Sequence, residues 1–199
     1  MVRLMTLVVV DMQNDFITGV FGTPEAQAIV GRVQGIMEDY INDEISYTNI
    51  ICTQDTHFED TWDANVESNL PAHCFIGTEG FELADPIKAL TESNPDEVKV
   101  INKFTFGSVK VGETIKEYYD YLVKSLNKEG VPSSQIKMDI EIVGLCTDIC
   151  VISNALLLKA MLPYVDITVN AWGCAGTTVE NHKKALDIMK LNGIDVVGE

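Results

Sequence analysis

Positive charge is scarce in this chain. Fourteen lysines and arginines face 30 aspartates and glutamates, a net charge of -16 over 199 residues. A nucleic-acid binder needs a basic footprint, and no Lys/Arg cluster occurs, which sets aside nucleic acid and anionic membrane surfaces as partners. Long hydrophobic runs are missing as well. The first, residues 4–10 of "MVRLMTLVVVDMQNDF", is too short to cross a bilayer and has no small-residue cleavage site after it, so an intracellular, cytoplasmic protein is expected. The five cysteines (52, 74, 146, 150 and 174) are odd in number and widely spread. They read as free thiols rather than a disulfide framework. Cys146 and Cys150 alone make a poor structural zinc site, which takes two close Cys/His pairs. There is no repeat, linker or low-complexity run, so one domain spanning 1–199 is expected.

What is present is an alternation of two periods. Residues 4–11, 49–55, 97–103, 137–145, 164–170 and 194–198 read as strands. Residues 25–44, 112–128, 149–161 and 178–191 carry apolar side chains at helical spacing. Strand–helix alternation predicts a three-layer α/β/α fold with a mainly parallel central sheet, Rossmann-like in plan. The stretch 56–96, broken by Gly77, Gly80, Pro86 and Pro95, reads as a long irregular segment of the functional kind.

Ligands of such sheets bind outside the carboxyl ends of the strands. Asp11 closes the first strand, Asp55 and His57 follow the second, Lys103 ends the third, and "GLCTDIC" follows the fourth. Cys150 opens the helix "CVISNALLLKA", with Thr147 or Asp148 as its N-cap. A thiol in a first helical turn meets free amides and partial positive charge, which lower its pKa and can hold an oxyanion. Lys103 adds to that field, and Asp11 can carry the proton between thiol and leaving amine. Each residue alone has a plainer reading: a buried core cysteine, a turn-capping aspartate, a solvated lysine. Their shared address is what points to amide cleavage. Cys146 and Cys52 read as packing residues.

A second constellation is "QDTHFEDTWDANVESNLPAHC". Asp55 and His57 are two apart at a strand end and can point the same way. His73 is the second histidine of this stretch, out of three in the chain. One carboxylate and two imidazoles suit zinc, iron or manganese, with Glu59, Asp60, Asp63 or Glu67 as a further ligand. His182 reads as a helix-surface or capping group.

"VVVDMQNDF", "TQDTH", "LPAHCFIGTEG", "NKFTFGS" and "VGLCTDICVISNALLLKA" resemble, in order, the isochorismatase-like cysteine hydrolases, nearest to the nicotinamidase branch. The resemblance implies catalytic roles for Asp11, Lys103 and Cys150 and a cis peptide at Leu145–Cys146. It implies an oxyanion hole made by the backbone N–H groups of Cys146 and Cys150. It also implies one divalent metal ion, zinc first with iron and manganese as alternatives, held by Asp55, His57 and His73 with Glu67 added. In that branch the metal holds a pyridine nitrogen. Phe16 matches an aromatic that packs on the substrate ring. Leu70 stands where many nicotinamidases have tryptophan, and "FTFGS" also departs from the usual pattern, so the pocket wall is altered. The implied reaction is deamidation of nicotinamide through a thioester, within NAD salvage, by a homo-oligomer, dimer or tetramer. Other readings are a relative acting on a different small amide (a carbamoyl or ureido compound), a catalytically silent pocket protein, and cleavage of a vinyl ether, which needs no cysteine.

Overall fold

The structure is a computed structural model that describes residues 1–43 and 46–199. Six strands form one sheet in the order β3-β2-β1-β4-β5-β6: β1 (Val2–Val10), β2 (Tyr47–Asp55), β3 (Val98–Lys103), β4 (Ile136–Leu145), β5 (Asp166–Ala175) and β6 (Asp195–Val197). Every pairing is parallel. The central strands are buried on both faces, which is why "LVVV" and "EIVGL" read as continuous apolar runs rather than alternations.

Helices α1 (Asn14–Ile17), α2 (Pro24–Ile41) and α3 (Asp85–Ser93) cover one face. Helices α4 (Val109–Lys128), α5 (Ile152–Met161) and α6 (Val179–Leu191) cover the other. The helix α2 starts where the sequence signals it. Thr23 accepts a hydrogen bond from the Ala26 N–H, and Pro24 occupies the first turn, where its missing donor costs nothing. The expected end of this helix at residue 44 lies outside the described residues.

Two expectations are corrected. The stretch 56–96 is not irregular throughout, since it holds α3 and a 3-10 turn, Glu59–Ala64. Pro86 sits in the first turn of α3 and marks a start rather than a break, and Ile87 anchors the helix in the core. Strand β5 runs on to Ala175, past the apolar stretch that suggested an end near 170. A register shift against β4 between Ile142 and Gly144 carries it there.

The chain leaves β1 toward β2 on one side of the sheet and returns to β4 on the other, so β1 and β4 border the topological switch point. Gly144 permits the two strand ends to lie close. A Cβ there would sit 2.1 Å from the Val10 carbonyl oxygen, and its φ of +117 suits glycine alone. Among the described residues no helix is long and apolar enough to cross a membrane.

Candidate active site and metal centre

The first strand ends by turning its aspartate inward. Asp11 has a φ of 47, in the left-handed region that non-glycine residues seldom adopt, and is fully buried. Its Oδ1 accepts a 2.6 Å hydrogen bond from the Thr53 hydroxyl of β2, and its N–H donates to Thr53 Oγ1 at 3.2 Å. Gln13 ties the neighbouring strand end in place. It donates to the carbonyls of Asp55 and Phe81 and accepts from the Asp55 N–H.

Lys103 comes in from the end of β3. Its Nζ lies 2.8 Å from Asp11 Oδ2, 3.2 Å from Asp55 Oδ1 and 3.5 Å from Cys150 Sγ, with its side chain wholly buried. Burial pulls the lysine pKa down, but the charges of Asp11, Cys150 and Asp55 outweigh it and hold it well above the ordinary value. The ammonium is thus a fixed positive charge between two carboxylates and the thiol.

Cys150 does not sit in the first turn of an α-helix. Thr147–Val151 form a π-helical turn that leads into α5, and neither Thr147 nor Asp148 caps it. The expectation of a lowered thiol pKa fails with it. Burial pushes the Cys150 thiol well up, Lys103 works against this, and Asp11 and Asp55 add to it. The Asp11 carboxyl is likewise raised by burial, with Lys103 opposing. The closed pocket therefore favours a protonated sulfur, and an attacking thiolate needs a nearby acceptor for its proton. Asp11 Oδ2 has no hydrogen bond beyond the charge contact with Lys103. The Leu145–Cys146 peptide is cis, as the resemblance implies.

Asp55, His57, Glu67 and His73 offer one ligand atom each, all within 4.8 Å of one another, and all four residues are buried. Asp55 Oδ2 lies 3.3 Å from Nε2 of both histidines, and Glu67 Oε2 lies 3.8 and 3.6 Å from them. Of the acidic candidates in this stretch, Glu67 joins the cluster, while Glu59, Asp60 and Asp63 are exposed.

The donor set fits a divalent cation. His57 Nε2 and Glu67 Oε1 are buried without a hydrogen-bond partner. His73 Nδ1 bonds the Pro71 carbonyl at 2.8 Å, which turns its Nε2 into the cluster. Burial pulls the His73 imidazole down, but its bonds to Asp55 and Glu67 outweigh this and raise it to about 9. Burial likewise pushes the Asp55 carboxyl up, and its close contacts with both imidazoles and the charge of Lys103 hold it well below the carboxylate range. A proton and a cation compete here for the same lone pairs.

Both clusters open on one cavity of about 110 Å³. Phe16 and Leu70 line it, as expected of substrate contacts, together with Asp55, Glu67, His73, Cys146 and Cys150. Phe21, Phe106, Ile149 and Thr177 line it too and were missed. Phe106 falls within the "NKFTFGS" motif and Ile149 within "VGLCTDICVISNALLLKA", but Phe21 and Thr177 carry no local signal. Phe16 and Phe21 stack at 5.9 Å, and both meet His73 edge-on. Trp62 packs edge-on against His57 and His73, and the Asn65 side-chain amide lies 3.0 Å from His57 Nδ1. His182 is half-buried in α6, in keeping with a helix-surface group, and also faces the turn that carries Cys150. Its Nδ1 lies 2.8 Å from the Thr147 hydroxyl. Larger open grooves beside α4 and between α2 and α6 hold no member of either cluster, and His182 lines the second.

Fold and site together define a three-layer α/β protein with a cysteine–lysine–aspartate cluster and a metal-competent cluster at the switch point of its sheet. The chain belongs to the isochorismatase family, whose isochorismatase domain matches residues 5–198. The nicotinamidase/pyrazinamidase of Mycobacterium tuberculosis is 26% identical to it over 202 residues, 96% of this chain and 97% of that protein. The crystal structure of the nicotinamidase/pyrazinamidase from Bacillus subtilis has a TM-score of 0.76 at 24% identity, covering 99% of this chain and 100% of that one. The pyrazinamidase of Pyrococcus horikoshii in complex with zinc has a TM-score of 0.72 at 22% identity, covering 98% and 99%.

Proposed function

We propose that this protein is a metal-assisted cysteine amidohydrolase that deamidates nicotinamide, or a close aromatic amide, to the acid and ammonia. The observation that carries the reading is the position of Lys103 Nζ, buried within 3.5 Å of Asp11, Asp55 and the Cys150 sulfur. Asp11 takes the thiol proton as Cys150 Sγ attacks the carboxamide carbon. The amide N–H groups of Cys146 and Cys150 hold the oxyanion. Asp11 then gives its proton to the leaving nitrogen, and ammonia departs from a thioester. In the second half Asp11 deprotonates water, the hydroxide attacks the thioester, and the sulfur leaves and regains its proton. Lys103 stabilises each anion in turn.

Asp55, His57, Glu67 and His73 would hold one divalent ion, zinc before iron or manganese. When bound it supplies a Lewis-acid anchor for a ring nitrogen. The aromatic wall of Phe16, Phe21 and Phe106 favours a flat ring. The cavity lining has no lysine or arginine to receive a carboxylate, which weighs against carbamoyl amino acids. The reading carries with it a single domain, a cytoplasmic place in NAD salvage and a homo-oligomer, dimer or tetramer.

Ammonia release from nicotinamide by metal-replete protein tests it. The expected result is release that falls by about 10³-fold or more in Cys150→Ala. Unchanged activity in that variant overturns the nucleophile. No release from nicotinamide by a protein whose Cys150 still alkylates overturns the substrate and turns to carbamoyl and ureido compounds.

A further inference from the structure

The turn that carries Cys150 is tied along its own length. The N–H groups of Ile149 and Val151 both donate to the carbonyl of Cys146, at 3.0 and 3.1 Å, the Ile152 N–H donates to the carbonyls of Thr147 and Ile149, and the buried Asn154 amide donates to the Cys150 carbonyl at 2.8 Å. The ladder between β4 and β5 ends just before it, at Leu145 opposite Ala175. From there two side chains continue the connection. Asp148 Oδ1 accepts from the Thr177 N–H at 2.8 Å, and Oδ2 accepts from the Thr177 hydroxyl at 2.5 Å. Asn181 donates to the same hydroxyl at 3.0 Å, and Thr147 Oγ1 meets His182 Nδ1 at 2.8 Å. Gly176 makes room for this clamp. A Cβ there would lie 2.8 Å from Asp148 Oδ1 and 2.9 Å from Cα and Cβ of His182.

We infer that Asp148 is a positioning residue for the nucleophile. Its one carboxylate fastens the 147–151 turn to Thr177, which lines the same cavity as Cys150. It thereby fixes the sulfur against Lys103 and Asp11 and sets the facing wall of the cavity in the same act. Loss of the clamp frees the turn to shift against the segment that follows β5, and a displacement of about 1 Å at a reacting atom costs on the order of 10²-fold in rate. The inference rests on the reading of Cys150 as the nucleophile.

Asp148→Ala and Asp148→Asn, confirmed folded by circular dichroism, are compared with the unaltered protein. The readouts are kcat and KM for ammonia release and the rate of Cys150 alkylation by iodoacetamide, located by mass spectrometry. Alkylation needs no substrate, so it tests the clamp even where nicotinamide is not the amide cleaved. In Asp148→Ala, kcat is expected to fall about 10²-fold with KM within about threefold. Alkylation is expected to slow about tenfold as the sulfur leaves the Lys103 ammonium. Asp148→Asn, which keeps an acceptor for the Thr177 N–H, recovers most of both. A kcat within about twofold of the unaltered protein, or a lost kcat with unchanged alkylation, overturns the inference. If Asp148→Ala does not fold, Thr177→Val removes the hydroxyl tie to Asp148, and the Asn181 contact with it, while the Thr177 N–H bond stays. Slower alkylation in that variant supports the clamp, and an unchanged rate overturns it.

Discussion

Two charged clusters face one cavity and are built on different terms. Asp11 and Lys103 come from the ends of β1 and β3 and are held by the sheet, while Cys150 comes from the turn after β4, which Asp148 ties to Thr177. The metal-competent cluster takes only Asp55 from a strand, while His57, Glu67 and His73 come from the segment that follows. The first cluster carries its own cation, the Lys103 ammonium. The second has two carboxylates, two imidazoles, and buried atoms without partners. A sheet edge places groups for proton transfer largely by its backbone, with a few side-chain ties such as Thr53 to Asp11 and Asp148 to Thr177. A loop needs something to gather around, and here the donor set says a divalent cation. Asp55, 3.2 Å from Lys103 Nζ, is the one residue that belongs to both.

The sharpest way to break this contrast is Lys103→Met. It strands Asp11 and Asp55 as buried carboxylates without their cation, so a stability loss of about 3–5 kcal/mol in urea unfolding is expected, along with loss of amide cleavage. A variant as stable as the unaltered protein would mean that the first cluster does not depend on its lysine.

The second test acts on the loop cluster alone. Asn65→Ala removes the side chain beside His57 Nδ1 and is expected to weaken metal affinity about 10- to 100-fold in competition with a chromogenic chelator. Cys150 alkylation should be unchanged, and a parallel fall would merge the two clusters into one unit. A smaller effect belongs to the wall between them. Phe21→Ala is expected to raise KM about threefold to tenfold, with kcat moved less, because an aromatic contact of about 1 kcal/mol is lost. The smallest contrast lies among the thiols. Burial pushes Cys52 and Cys174 up to about 12, with no ammonium near either. Both should stay unlabelled at neutral pH while Cys150 reacts, and labelling of all three at equal rates would remove the special status of Cys150.

Much of the frame was legible in the chain. The buried runs of β1 and β4 are apolar because both faces of a parallel strand are covered, and the 3.6-residue spacing of α2 and α4 reports one covered face each. The sequence also placed Asp11, Lys103 and Cys150 at strand ends, because the end of an apolar run is visible as a local change. Helix α3 was hidden by Pro86, which breaks a helix in its middle and begins one at its first turn. Phe21 was hidden because an aromatic in a loop looks alike whether it faces solvent or a cavity.

The sequence by itself determined the alternation of strand and helix, the parallel sheet, and the list of groups able to do chemistry at its carboxyl edge. These depend on periodicity and on short-range order, which a linear chain displays directly. Only the tertiary structure decided that Cys150 rides a π turn rather than an α-helix start, and that burial raises its thiol instead of lowering it. The same holds for the tie between Asp148 and Thr177. Each is set by what residues far apart in the chain do to one another's solvation and charge, and that interaction exists only once the sheet has brought them together.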